Sequence, residues 1–200
     1  MFALVESGSI IKFLNGNKGI QIGDLKYPRA IYTLWTEAER NAIGIYTIEW
    51  DNSNKKDEKW YINTDQSFAF ANNKVTATYG TATAKAHADT LFTAQDEEDG
   101  KGTEGELNTR GLKYNLIQVV KSQAAGELAK TDWYITRKTE KSTAIPSAIT
   151  THRNLVRSRQ AAMETAITNA SDTPALETLY TYTTDSDGVT SRPLPKIPTL

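Results

Sequence analysis

The sequence contains no cysteine, which removes disulfides, thiolate metal sites and a cysteine nucleophile together. Histidine is nearly as scarce: His87 and His152 are the only two, they lie on different segments, and neither has a partner at metal-ligand spacing. No metal ion and no cofactor is therefore expected. A charge excess is missing too. The 23 Lys and Arg against 24 Asp and Glu leave a net charge of -1, too weak a field to steer the chain toward nucleic acid or an anionic membrane, and neither is expected as a partner. No apolar run approaches the roughly 18 residues of a membrane span, and Met1-Phe2-Ala3-Leu4-Val5-Glu6 lacks the basic and apolar regions of a signal peptide, so synthesis in the cytosol is expected. A glycine-rich phosphate loop, a nucleophile elbow and a zincin motif are also lacking, and no enzymatic activity is expected.

What remains is a chain of 200 residues, long enough for two small domains with real cores. The hydrophobic fraction of 38% and the mean hydropathy of -0.51 are low for one compact globule, which points to elongation or to apolar surface completed by a partner. The patterning gives an α+β fold in four parts: a β-rich module over residues 1–94, an acidic and glycine-rich linker over 95–106, a helical domain over 107–180, and an extended tail over 181–200.

In the first part, Phe2 to Val5 and Ile10 to Leu14 are apolar runs around Glu6-Ser7-Gly8-Ser9, the signature of a hairpin. Thr36-Glu37-Ala38-Glu39 fits a capping box, which predicts a short helix over Glu37 to Ala42 stopped by Gly44. Ile45 to Trp50, Lys59 to Ile62, Phe68 to Phe70 and Lys74 to Tyr79 complete a small antiparallel module, with a turn at Asp51 to Asn54. Asp96-Glu97-Glu98-Asp99, with Gly100, Gly102 and Gly105, reads as a solvated linker because its spacing does not match a calcium loop. Leu112, Leu116, Val119, Val120, Ala124 and Leu128 share one face of a helix from about Asn108 to Lys130, and Ile149, Val156, Met163 and Ile167 one stripe of a second helix over Ser147 to Asn169. An antiparallel helical pair capped by Trp133, Tyr134 and Ile135 covers both faces. His152 is expected on a helix face, His87 on the surface, and Arg153 and Arg157 along a solvated or interfacial edge.

Asp185-Ser186-Asp187-Gly188 reads as a hairpin turn rather than a calcium-loop fragment. Pro193, Pro195 and Pro198 keep the following tail extended, over its own domain or a neighbour's. Trp35, Trp50, Trp60 and Trp133 could stack sugars, although tryptophan in aromatic strands more often serves the core. The bases around Trp133 and Tyr134 are interrupted by Glu127, Asp132, Glu140 and Glu164, which argues against phosphate-backbone binding.

One block is specific enough to resemble a family. Thr131-Asp132-Trp133-Tyr134-Ile135-Thr136-Arg137-Lys138, then Ala144-Ile145-Pro146, then Arg153 and the helix ending Met163-Glu164-Thr165-Ala166-Ile167, resembles the C-terminal helical region of bacteriophage tail-fibre-assembly and related tail proteins. The opening, with Tyr27-Pro28 and Trp35-Thr36-Glu37-Ala38-Glu39-Arg40, is similar to the N-terminal β module of phage virion and tail proteins. The chain departs from the pattern in having Thr143-Ala144 before Ile145-Pro146 and His152 before Arg153, and it has no repetitive fibre shaft. The resemblance implies a structural component of a phage tail, baseplate or fibre attachment that acts by docking to other tail or fibre proteins, in several copies, within the virion after assembly in the host cytoplasm. It implies as an alternative an assembly chaperone absent from the particle; the tryptophans carry a third reading, a module that binds host glycans. The expected interface residues are Trp133, Tyr134, Ile149, Val156, Met163, Pro193 and Pro195, burying apolar area at about 25 cal/mol per Å², partly between subunits.

Overall fold

The computed structural model describes residues 1–64 and 66–200, and the fold is α+β in two compact units, Met1–Thr83 and Ala84–Leu200. In the N-terminal unit, β1 (Phe2–Glu6) and β2 (Ser9–Leu14) pair through the two-residue turn Ser7-Gly8, whose φ values of 48° and 78° give the turn twist that suits a hairpin. The register shifts between Leu4↔Lys12 and Val5↔Ile10, so Ile11 is a bulge residue. A small hairpin, β3 (Ile20–Ile22) and β4 (Leu25–Tyr27), leads to the one-turn helix α1 (Ile31–Leu34) and to α2 (Glu37–Ala42). The predicted capping box is present at α2: Thr36 Oγ1 accepts from Glu39 N–H, and Glu39 Oε2 accepts from Thr36 N–H at 2.7 Å. Gly44 ends the helix for two reasons. Its φ is +80°, and a Cβ there would stand 2.6 Å from the Val5 carbonyl oxygen.

Strand β5 (Ile45–Asp51) is followed by β6 (Tyr61–Ile62), β7 (Gln66–Ala71) and β8 (Lys74–Tyr79), and the main sheet runs β2-β1-β5-β8-β7. This sheet is mixed, where an antiparallel one was expected: β5 pairs with β8 in parallel, Ile48 opposite Val75. The alternation of apolar residues fixes which face a strand buries but not its direction, and the β7–β8 hairpin offers β8 to β5. The predicted strand from Lys59 shortens to Tyr61–Ile62, with Trp60 buried beside it.

The alternation gives the sheet two apolar faces. Ala3, Val5, Ile48, Val75 and Ala77 form one core with Tyr46, Phe68 and Phe70 against it. There the edge strands approach each other at Phe13 and Phe68, whose rings lie 4.5 Å apart, so the sheet curls toward closure. Leu4, Leu14, Ile31, Tyr32 and Ile45 form the other core, covered by the β3–β4 hairpin and the two short helices.

A two-residue strand, β9 (Thr83–Ala84), falls at the boundary between the units. In the second unit, β10 (Thr90–Leu91) pairs with β11 (Leu107–Thr109), and the segment between them carries α3 (Ala94–Glu98). The expected linker over 95–106 is thus a structured hairpin connection, and the unit boundary lies ahead of it. Thr93 and Asp96 form a second capping box, Lys101 bridges Asp96 and Asp99, and a Cβ on Gly102 would strike the Phe92 ring. The acidic residues are absorbed by helix-start amides and one lysine, which composition does not reveal.

Four helices follow: α4 (Leu112–Ala129), α5 (Asp132–Lys141), α6 (Ser147–Asn169) and α7 (Thr173–Tyr180). α4 packs antiparallel on α6, with Lys113 Nζ on Thr168 O at one end and Arg153 Nη1 on Leu128 O at the other. Leu116, Val120 and Ala124 of α4 and Ile149, Val156, Met163 and Ile167 of α6 are buried, while Val119 stays half exposed. α4 starts later than predicted because Gly111 lies against Ala88 and donates its N–H to Asp89 Oδ1 at 2.8 Å. Asp185 to Gly188 turn between β12 (Thr183–Thr184) and β13 (Thr190–Ser191), the predicted hairpin. The proline-containing segment then crosses its own unit: Leu194 is fully buried with its N–H on Leu179 O, and Leu200 N–H reaches Glu127 Oε1 at 2.7 Å. Among the described residues, no helix is long and apolar enough to cross a membrane.

Candidate docking site

The block Thr131–Lys138, expected as a Trp-Tyr connection, is a helix start: Thr131 is buried at the N-cap, and α5 from Asp132 onward buries none of its residues. Trp133 and Tyr134 are neighbours in sequence whose rings lie 3.8 Å apart at 32°. Arg137, one turn on, places its guanidinium 4.7 Å from the Trp133 ring and 5.1 Å from that of Tyr134. Trp133 is 52% exposed and Ile135 41%, so α5 is an aromatic and aliphatic ridge open to solvent. Ser142, at φ 50°, ends the helix, and Pro146 precedes α6.

The ridge is held from beneath. Arg153 of α6 is buried, and its Nη1 lies 2.8 Å from Leu128 O, 2.6 Å from Thr131 Oγ1 and 2.8 Å from Asp132 Oδ1. One guanidinium thereby satisfies a carbonyl at the end of α4, the buried Thr131 hydroxyl and the first residue of α5. This corrects the expectation that Arg153 lines a solvated or interfacial edge, since it is buried within its own unit; Arg157 does stay exposed. A signal was present: Arg153 sits on the apolar stripe of α6, four residues from Ile149 and three from Val156. Glu127 occupies the matching place on α4, three residues after Ala124, and is buried too. Its Oε2 accepts from Lys130 Nζ, and His152 Nε2 lies 3.3 Å from Oε1 without alignment for a hydrogen bond.

Of the expected interface residues, Trp133 and Tyr134 lie on the ridge. Ile149, Val156 and Met163 do not: their apolar area is already buried within their own unit, where the α4–α6 packing uses it. Pro193 is exposed and Pro195 half-buried, either side of Leu194, the residue that anchors the segment and that sequence reading did not single out. Among the tryptophans, Trp60 is core, Trp35 packs edge-on to Tyr27, and Trp50 is 47% exposed with its ring 6.5 Å from that of Phe68. A sugar platform in the N-terminal unit would therefore rest on Trp50, without Trp60. Among the described residues, no group of three or more His, Cys, Asp or Glu side chains is placed to hold a metal ion.

Comparison with protein-family models, curated proteins and solved structures finds no match.

Proposed function

We propose that the protein is a structural component of a bacteriophage tail, baseplate or fibre attachment, acting by protein–protein docking, with the α5 ridge as the docking element. The observation that carries this reading is that the residues behind the resemblance converge physically: buried Arg153 ties buried Thr131 to the exposed Asp132 carboxylate, and that clamp fixes the helix presenting Trp133, Tyr134 and Ile135. An exposed aromatic and arginine pair on a rigidly anchored helix has the composition of an interface hot spot. The partners are other tail or fibre proteins, with the chain present in several copies around the tail axis.

The test is peptide mass spectrometry of gradient-banded particles, with copy number measured against the capsid protein. Stoichiometric presence in multiples of three or six supports a tail component, and a Trp133→Ala/Ile135→Ser variant should be depleted from particles while remaining folded. Absence from particles, with co-purification of a fibre protein from lysate, would overturn the reading in favour of the assembly chaperone.

A further inference from the structure

Away from the ridge, the C-terminal unit holds a second cluster. α4 and its C-cap contribute Gln123, Glu127 and Lys130, and the final segment contributes Arg192, Lys196 and Thr199, to a cavity of about 610 Å³. That volume is typical of a small-molecule site. Glu127 is the carboxylate in this wall, and its oxygens are taken: Oε2 by Lys130 Nζ at 2.5 Å, Oε1 by Leu200 N–H at 2.7 Å. The Glu127–Lys130 pair is neutral as a unit. Arg192 and Lys196, in contrast, belong to no ion pair among the described residues.

These two cations are also held in place. Arg192 Nε donates to Leu194 O at 2.9 Å, next to a fully buried side chain, which leaves the terminal nitrogens of the fork for another acceptor. The guanidinium lies 5.4 Å from the rings of both Tyr180 and Tyr182, and Lys196 Nζ lies 5.4 Å from the Tyr182 ring. The hydrogen bond from Lys196 holds the Tyr182 phenol below its ordinary titration range, consistent with uncompensated positive charge. We infer that this cavity binds a phosphate-type dianion, inorganic phosphate or a phosphate monoester, between Arg192 and Lys196. A planar fork beside a point-charge ammonium suits a tetrahedral oxyanion, and two uncompensated cations match a dianion where a carboxylate would leave one unpaired.

Titrating the full chain with inorganic phosphate at constant ionic strength, followed by amide chemical shifts, tests this directly. Saturable shifts confined to Gln123–Lys130 and Tyr180–Thr199 are expected, with affinity at least tenfold weaker in Arg192→Gln/Lys196→Gln and unchanged in Lys12→Gln. A parallel titration with glycerol phosphate identifies the source, the tighter ligand being the better match; binding of either supports the site. Linear shifts scattered over surface lysines, undiminished binding in the double variant, or acetate binding as well as phosphate would overturn it. Should the double variant unfold, Lys196→Gln alone removes no backbone contact and should weaken binding at least threefold; unchanged affinity there would also overturn the site.

Discussion

The two units solve the problem of a thin hydrophobic supply differently. In the N-terminal unit the buried side chains are aliphatic or aromatic, arranged on two faces of a curled sheet. In the C-terminal unit the core includes Glu127, Thr131, Arg153 and Thr173, and these four are the buried polar residues among those described. Apolar burial is non-directional and tolerates adjustment, whereas a buried polar group must meet a particular partner or cost free energy. The helical unit therefore gains definite helix placement at the risk of a few indispensable contacts, while the sheet spreads its stability over many.

Breaking the Arg153 clamp should produce the largest asymmetry. Arg153→Met removes two charge-assisted hydrogen bonds, to Leu128 O and to Thr131 Oγ1, which keep only their bond to each other, and destabilisation of the C-terminal unit by about 3–4 kcal/mol is expected. Urea unfolding followed by helical circular dichroism should show the loss, with the tryptophan fluorescence transition, dominated by Trp35, Trp50 and Trp60, hardly moved. The converse is Ile45→Ala, a fully buried residue of β5, which should cost the N-terminal unit about 2–4 kcal/mol and move the fluorescence transition instead. Thr36→Ala removes the α2 cap and should cost about 1 kcal/mol in that unit, read by the same fluorescence transition.

Acid sharpens the contrast further. Lys130 first, then the Leu200 amide, hold the Glu127 carboxyl below the ordinary glutamate value against the opposing effect of burial. A depressed carboxylate stabilises the fold fully above its unfolded pKa of about 4.3, and that contribution disappears as pH falls through the lower folded value. Urea midpoints measured below about pH 4.3 should therefore fall less steeply for Glu127→Gln than for the parent, in the helical signal alone. The smallest stability effect is expected for Trp133→Ala, about 0.5 kcal/mol by the same helical signal, because the ring is half exposed and its ring and guanidinium contacts, Tyr134 and Arg137, lie on its own helix.

The sheet and the long helices were legible in the sequence because periodicity and turn chemistry are local. The Ser7-Gly8 turn, the Thr36 capping box and the bounds Ser147 to Asn169 follow from neighbours a few residues apart. Direction of pairing was not legible: nothing in Lys74 to Tyr79 states that it will run parallel to β5. Nor was the fate of the acidic segment, since Asp96 is neutralised by a cap and Asp99 by Lys101 rather than by water alone. At the site, Trp133 and Tyr134 are legible as interface residues, but an apolar stripe does not say which surface covers it, so it does not separate Ile149, Val156 and Met163, buried within their own unit, from residues that dock. The burial of Arg153 and Glu127 has a local signal too: both are charges placed where the helical period demands apolar residues.

The strand order has a kinetic consequence. The β1–β2 and β7–β8 hairpins are each closed by a two-residue turn, Ser7-Gly8 and Asn72-Asn73, and can form within microseconds, yet an isolated hairpin is marginal in water. Both hairpins dock on β5, the first antiparallel and the second parallel. β5 therefore acts as a template on which two fast-forming pieces must meet, and the rate of folding of this unit is set by the long loop closure that brings Val75 to Ile48 rather than by either turn.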